Sequence, residues 1–178
     1  MTLFFYVIIA IITFFAFLHA WAKKDYDVSR TVVINASREE VFNFVRKLRN
    51  QPHWNPWFRR DPEAIKKYKG EDGKLGSSFY WKGNSKAGEG IQRIVKAKFG
   101  RVLETRILFI KPIKVHALTY IGVKELEEEK TKMVWGVRGH LAFPLTIISL
   151  LYPPEKILGN NLENGLKNLK HILEENNR

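Results

Sequence analysis

The sequence predicts an α+β protein: a curved antiparallel sheet of about six to seven strands around a long C-terminal helix, preceded by one N-terminal transmembrane helix. Three observations predict it. Thr2 to Ala22 is an unbroken uncharged, mostly apolar run, closed by Lys23 and Lys24. From Ile65 to Leu141 the chain reads as β, cut at hairpin spacing by turn residues. Beyond that, Leu158, Leu162, Leu166, Leu169 and Leu173 recur at helical spacing.

The apolar run contains 21 residues, interrupted only by Thr2, Thr13 and His19. As a helix rising about 1.5 Å per residue it is roughly 32 Å long, and a bilayer's hydrocarbon core is about 30 Å thick. A soluble helix of this length needs a polar face, which this one lacks. Burial inside a soluble domain would demand apolar cover on every side. A cleaved signal has a partial match in the small residues of Ala20-Trp21-Ala22, but it wants a positive n-region and an apolar core of about 7–15 residues. A permanent anchor over residues 1–22 fits best. All 30 lysines and arginines follow residue 22. The expected topology is therefore single-pass, with the N-terminus outside and the domain cytoplasmic.

About 156 residues follow the run, enough for one domain with its own core. The absence of cysteine excludes disulfides, thiolate metal sites and cysteine nucleophiles. The net charge is +12, unevenly spread. Seven basic residues and one acid lie between Arg93 and Lys114, and four acids between Glu125 and Glu129. Such a surface suits nucleic acid, anionic ligands or acidic lipid. On a tethered domain the nearby anionic leaflet is the simplest partner, and each cation close to it contributes about 1 kcal/mol. Aromatic residues interleave with the charge as in single-strand binders, but no nucleic-acid motif accompanies them and no nucleic-acid partner is expected.

After a polar spacer at 23–27, the β-branched stretch Val28–Ile34 predicts a strand. Ser37 and Glu40 form a capping-box pattern, and Val41, Phe42, Phe44, Val45 and Leu48 continue as a helix that fails by Pro52. His53-Trp54-Asn55-Pro56-Trp57 follows, with Pro56 biasing Asn55 away from helix. Turns are expected at Gly70–Gly76, Gly83–Gly88, Gly100, Lys111-Pro112 and Glu127–Lys130. Pro144–Tyr152 is an apolar stretch of short-helix length. Pro153-Pro154 opens the last helix, which runs to about Glu174. Gly165 inside it costs up to about 1 kcal/mol against alanine and so implies close approach to the sheet.

The element order and a set of scattered motifs resemble the SRPBCC (polyketide cyclase/dehydrase-like) family of the START-like, helix-grip superfamily. The motifs are Trp54-x-Pro56-Trp57 with Asp61-Pro62, Tyr80-Trp81-x-Gly83-Asn84, Gly88-x-Gly90 and Phe109-Ile110-Lys111-Pro112. Val134-Trp135-Gly136 with Gly139, Phe143-Pro144 and the closing stretch Leu158-Gly159 to Gly165-Leu166-x-Asn168-Leu169-Lys170 complete them. The resemblance covers about residues 26–175 and leaves the anchor outside, so the domain is bounded at 28–176. It implies a cavity between sheet and helix for an apolar or amphipathic small molecule. It fixes no reaction, because function lives in sites grafted on folds.

Alternate strand residues face opposite sides. The sets Leu103, Thr105, Ile107, Phe109; Ile113, Val115, Ala117, Thr119, Ile121; and Met133, Trp135, Val137, Gly139, Leu141 should face the long helix. Phe79 and Trp81 join them by the alternation of Ser78–Lys82. The expected cavity lining is Trp54, Trp57, Phe79, Trp81, Ile107, Phe109, Val115, Ala117, Thr119, Met133, Trp135, Leu162 and Leu166. The same residues would equally fill a solid core. This face offers almost no ionisable side chain, and general acid–base work needs one in reach of the substrate. No catalytic residue and no cofactor is therefore assigned. None of the five histidines pairs at helical spacing or sits among acids, so no metal site is assigned. Glu104 with Arg106, and Arg138 with His140, belong to outer strand faces. The expected function is a membrane-tethered binding or carrier module for a lipid-like molecule. A cyclase/dehydrase-type enzyme acting on a hydrophobic substrate is the alternative.

Overall fold

In the computed structural model, which describes residues 1–175, the chain begins with α1 (Thr2–Trp21) and β1 (Asp25–Ile34). Then come α2 (Arg38–Val45), a 3-10 turn at Leu48–Asn50, α3 (Gln51–Trp54) and α4 (Pro56–Arg59). The strands β2 (Ile65–Lys69), β3 (Ser78–Lys82), β4 (Glu89–Lys98), β5 (Val102–Lys111), β6 (Val115–Glu127) and β7 (Lys130–His140) follow. The chain closes with α5 (Leu145–Leu151) and α6 (Pro154–Glu175). Seven strands form one antiparallel sheet in the order β1-β7-β6-β5-β4-β3-β2. It is a meander from β2 to β7, with β1 brought back beside β7. The α+β class, the antiparallel sheet and the terminal helix stand as the sequence predicts.

Local chemistry explains the boundaries. Ser37 accepts a hydrogen bond from the Glu40 amide at 3.2 Å, capping α2. Pro52 does not simply end a helix; it opens α3, where its missing N–H costs nothing. Asn55 is extended and caps α4, its side chain accepting from the Trp57 amide at 3.1 Å. β1 begins three residues before the expected Val28, because Asp25–Asp27 pair with Arg138–His140 of β7. The spacer is thus shorter than 23–27 and the domain starts at Asp25. Residue 176, its expected end, lies outside the described residues. Ile113 precedes β6 and is exposed, so it leaves the inward set.

The inward row Val28, Val137, Thr119, Thr105 and Ile94 runs across the sheet, and Val32, Met133 and Val123 form a row farther from α1. α6 lies across these rows with Leu162, Leu166, Leu169 and Leu173 buried. Gly165 explains how closely: a Cβ there would stand 2.5 Å from the Trp135 ring and 3.0 Å from Pro56 Cδ. Asn168 Nδ2 donates to the Trp54 carbonyl at 3.2 Å, tying α3 to α6. By contrast, none of the side chains of α1 is buried. Its length and composition suffice to cross a membrane. Among the described residues, His19 alone ties it by side-chain hydrogen bond to the domain, Nδ1 lying 2.7 Å from Thr146 Oγ1 on α5.

Candidate functional site

A cavity of about 90 Å³ lies between the concave face and the helices, at the end of the sheet nearest α1. Side-chain size along one cross-strand row explains it. Gln92 pairs with Ile107, Ile107 with Ala117, Ala117 with Gly139 and Gly139 with Tyr26. The small Ala117 in the middle of this row leaves space that the next row fills with Thr119 and Val137. The Tyr26 ring folds over Gly139, and the Trp81 ring over Gly90. Trp57, Phe58, Phe109 and Leu158 complete the apolar wall. Tyr26, Trp57, Phe109 and Leu158 are only half-buried and form its rim.

Of the expected lining, Trp57, Trp81, Ile107, Phe109, Ala117, Thr119 and Trp135 border this cavity. Six residues do not. Trp54, Phe79, Met133, Leu162 and Leu166 are buried in packed core and are corrected to structural positions. Trp54 lies edge-on to Trp135 at 4.7 Å, and Phe79 stacks on Tyr68 at 4.8 Å. Met133 sits too far along β7, and Leu162 and Leu166 meet the sheet where α6 already touches it. Val115 borders an open groove instead, together with Lys23, Lys114, Arg106 and Arg138. Strand parity gives the face a residue points to, but not whether its row is filled.

The polar members of the lining are the main addition to the sequence reading. Gln92 Nε2 donates to Thr105 Oγ1 at 2.7 Å, and Thr105 and Thr119 share a further 2.7 Å hydrogen bond. All three are buried. Among the described residues Gln92 Oε1 is buried without a hydrogen-bond partner. Asn55 donates to Gln51 at 2.8 Å, both also buried at the wall. Gln92 was legible in principle, since it alternates in phase with Ile94 in β4. Gln51 and Asn55 come from irregular backbone where no period applies. Among the described residues Tyr26 is the one titratable residue on the wall, and burial pushes its hydroxyl above the ordinary value of about 10. It remains a neutral phenol near neutral pH. Among the described residues no three His, Asp or Glu side chains converge as a metal site.

No known family model matches the chain. No curated protein sequence matches it either. Solved structures do share its fold. The Zhui aromatase/cyclase from Streptomyces sp. R1128 matches with a TM-score of 0.66 at 16% identity, over 86% of this chain and 96% of that one. A protein of unknown function from Staphylococcus aureus matches with a TM-score of 0.66 at 12% identity, over 89% and 98%. A protein from Chromobacterium violaceum matches with a TM-score of 0.59 at 14% identity, over 83% and 96%. The architecture is the helix-grip fold.

Proposed function

We propose that this protein is a membrane-tethered binding module of the SRPBCC type, holding an apolar or amphipathic small molecule between the sheet and its helices. The observation that carries the reading is the hollow row: aromatic and aliphatic walls around small residues, with neutral polar groups at the back. At about 90 Å³ the space takes one ring or the end of a chain. Drug-sized sites run to about 300–1,000 Å³. A lipid-like ligand would therefore insert its end and leave the rest at the rim.

The position of the rim supports the membrane part. Tyr26 lies in the strand that follows α1, and Leu158 in the first turns of α6. Lys23, Lys24, Lys111 and Lys114 are exposed at this same end, as cations facing an anionic leaflet would be. The exposed apolar surface of α1 is far larger than a soluble monomer tolerates. The charge asymmetry favours a cytoplasmic domain.

The test uses full-length protein and 1-aminoanthracene, a three-ring probe that would insert one end ring and that brightens in apolar surroundings. Saturable brightening that Ala117→Leu abolishes, with the fold intact by circular dichroism, is expected. Identical unsaturable partitioning in both proteins would sink the reading.

An enzymatic second reading rests on Gln92. Its unpartnered Oε1 can accept a hydrogen bond from a ligand hydroxyl, and the Tyr26 phenol can donate one. The likeness to an aromatase/cyclase makes ring-closing or dehydrating chemistry the class to try. A change in mass of a bound ligand after incubation would favour it.

A further inference from the structure

We infer that the segment Phe143–Tyr152 is a second membrane contact, lying in the bilayer interface beside the foot of α1. This rests on the reading of α1 as a span. α5 is tied to α1 by a hydrogen bond, His19 Nδ1 to Thr146 Oγ1 at 2.7 Å, and the chain leading into it by the Leu141 amide donating to the Lys24 carbonyl at 2.7 Å. The Phe143 ring meets the His19 ring edge-on at 5.9 Å. His19 lies two residues before the end of α1, about 3 Å along the axis. The polar interface on each side of a bilayer is about 5–8 Å deep. If α1 fills the hydrocarbon, Thr146 is held at the acyl–headgroup boundary, and α5 with it.

The surface of the segment suits that place. Leu151 is 79% exposed, and Phe143 and Tyr152 are each 62% exposed. Ile148 and Leu150 are exposed beside them, and so is Trp21 on the last turn of α1. Aromatic residues at this depth, followed by Lys23 and Lys24, make the usual interfacial belt. The segment itself, from 143 to 152, carries no charged side chain. Interfacial helices sink about 5–10 Å into this boundary, enough to cover these side chains. Two contacts fix orientation where one span would leave the domain free to swing. The cavity rim at Tyr26 and Leu158 is then held against the leaflet.

The chain has no cysteine, so single labels report cleanly. An environment-sensitive nitrobenzoxadiazole label is placed at Phe15→Cys in α1, Leu151→Cys in the segment, and Leu75→Cys in the β2–β3 turn at the opposite end. Full-length protein is reconstituted in phosphatidylcholine–phosphatidylglycerol vesicles with nitroxide lipids. Blue-shifted emission at 15 and 151, with stronger loss from acyl-chain than from headgroup nitroxides, is expected, and no loss at 75. Quenching at 15 with 151 behaving like 75 overturns the inference and leaves the span intact. No quenching at any site overturns the span, and the inference with it.

Discussion

At the end of the sheet farthest from α1, Ile34, Met133, Phe42, Leu169 and Leu173 close on one another with essentially no exposure. At the near end, Ala117 stands where a larger residue would close the space, and the rim residues stay half-exposed. Both ends use the same strands and the same alternation. The difference lies in side-chain volume along single rows, and it shows that one sheet can be a core at one end and a vessel at the other.

The largest test of this contrast is to cut an aromatic ring from each end. Phe42→Ala removes a fully buried side chain and should cost about 3–5 kcal/mol in urea unfolding of the full chain. Phe109→Ala, at the rim of space that already exists, should cost about 1–2 kcal/mol. Equal losses would mean that the two ends are packed alike.

Insertion should show the reverse. Gly165→Ala sets a methyl group 2.5 Å from Trp135. Overpacking costs about 1–3 kcal/mol, more than the roughly 1 kcal/mol gained in helix propensity. A net drop in the unfolding midpoint is expected. Ala117→Leu, pointing into the hollow, should leave the midpoint unchanged or raise it.

How far this contrast could be read from residues alone depends on the period involved. The strands, their turns and the buried stripe of α6 follow from alternation and from leucine spacing, so the architecture was legible. Gly165 announced its own contact. The resemblance implies a cavity, but its position is not legible in any single strand, although Ala117 and the Gly139 that Tyr26 covers both fall on the inward face. Seeing it required the register that aligns them, and register is a property of strand pairing rather than of one strand. Trp54 and Trp57 look alike in sequence, yet one is core and the other rim, because they sit on two short helices broken at Asn55. Asp25–Asp27 read as spacer because their side chains are polar, while their backbone pairs with β7.

A smaller effect separates the polar back wall from the packed core. Gln92→Leu removes an acceptor that has no partner and a donor whose loss Thr105 survives, since Thr119 still bonds it. The expected change is within about 1 kcal/mol. A loss well beyond that would mean that Gln92 organises the wall structurally, and its fitness as a ligand contact would fall accordingly.

The smallest effect is a titration. Burial raises the Tyr26 hydroxyl above the ordinary value near 10. The folded state therefore holds this proton more tightly than the unfolded chain does. The resulting stabilisation is fully present below the ordinary value and is lost as pH rises through the folded one. Tyr68, Tyr80 and Tyr120 are raised as well, so the tyrosinate absorbance of Tyr26→Phe must be subtracted from that of the parent. The difference curve should fall above the ordinary range. With 1-aminoanthracene in the hollow it should move higher still, because a ligand at the rim takes water from the phenol. A curve at the ordinary value that ignores the probe would place Tyr26 in open solvent, and the rim would have to be redrawn without it.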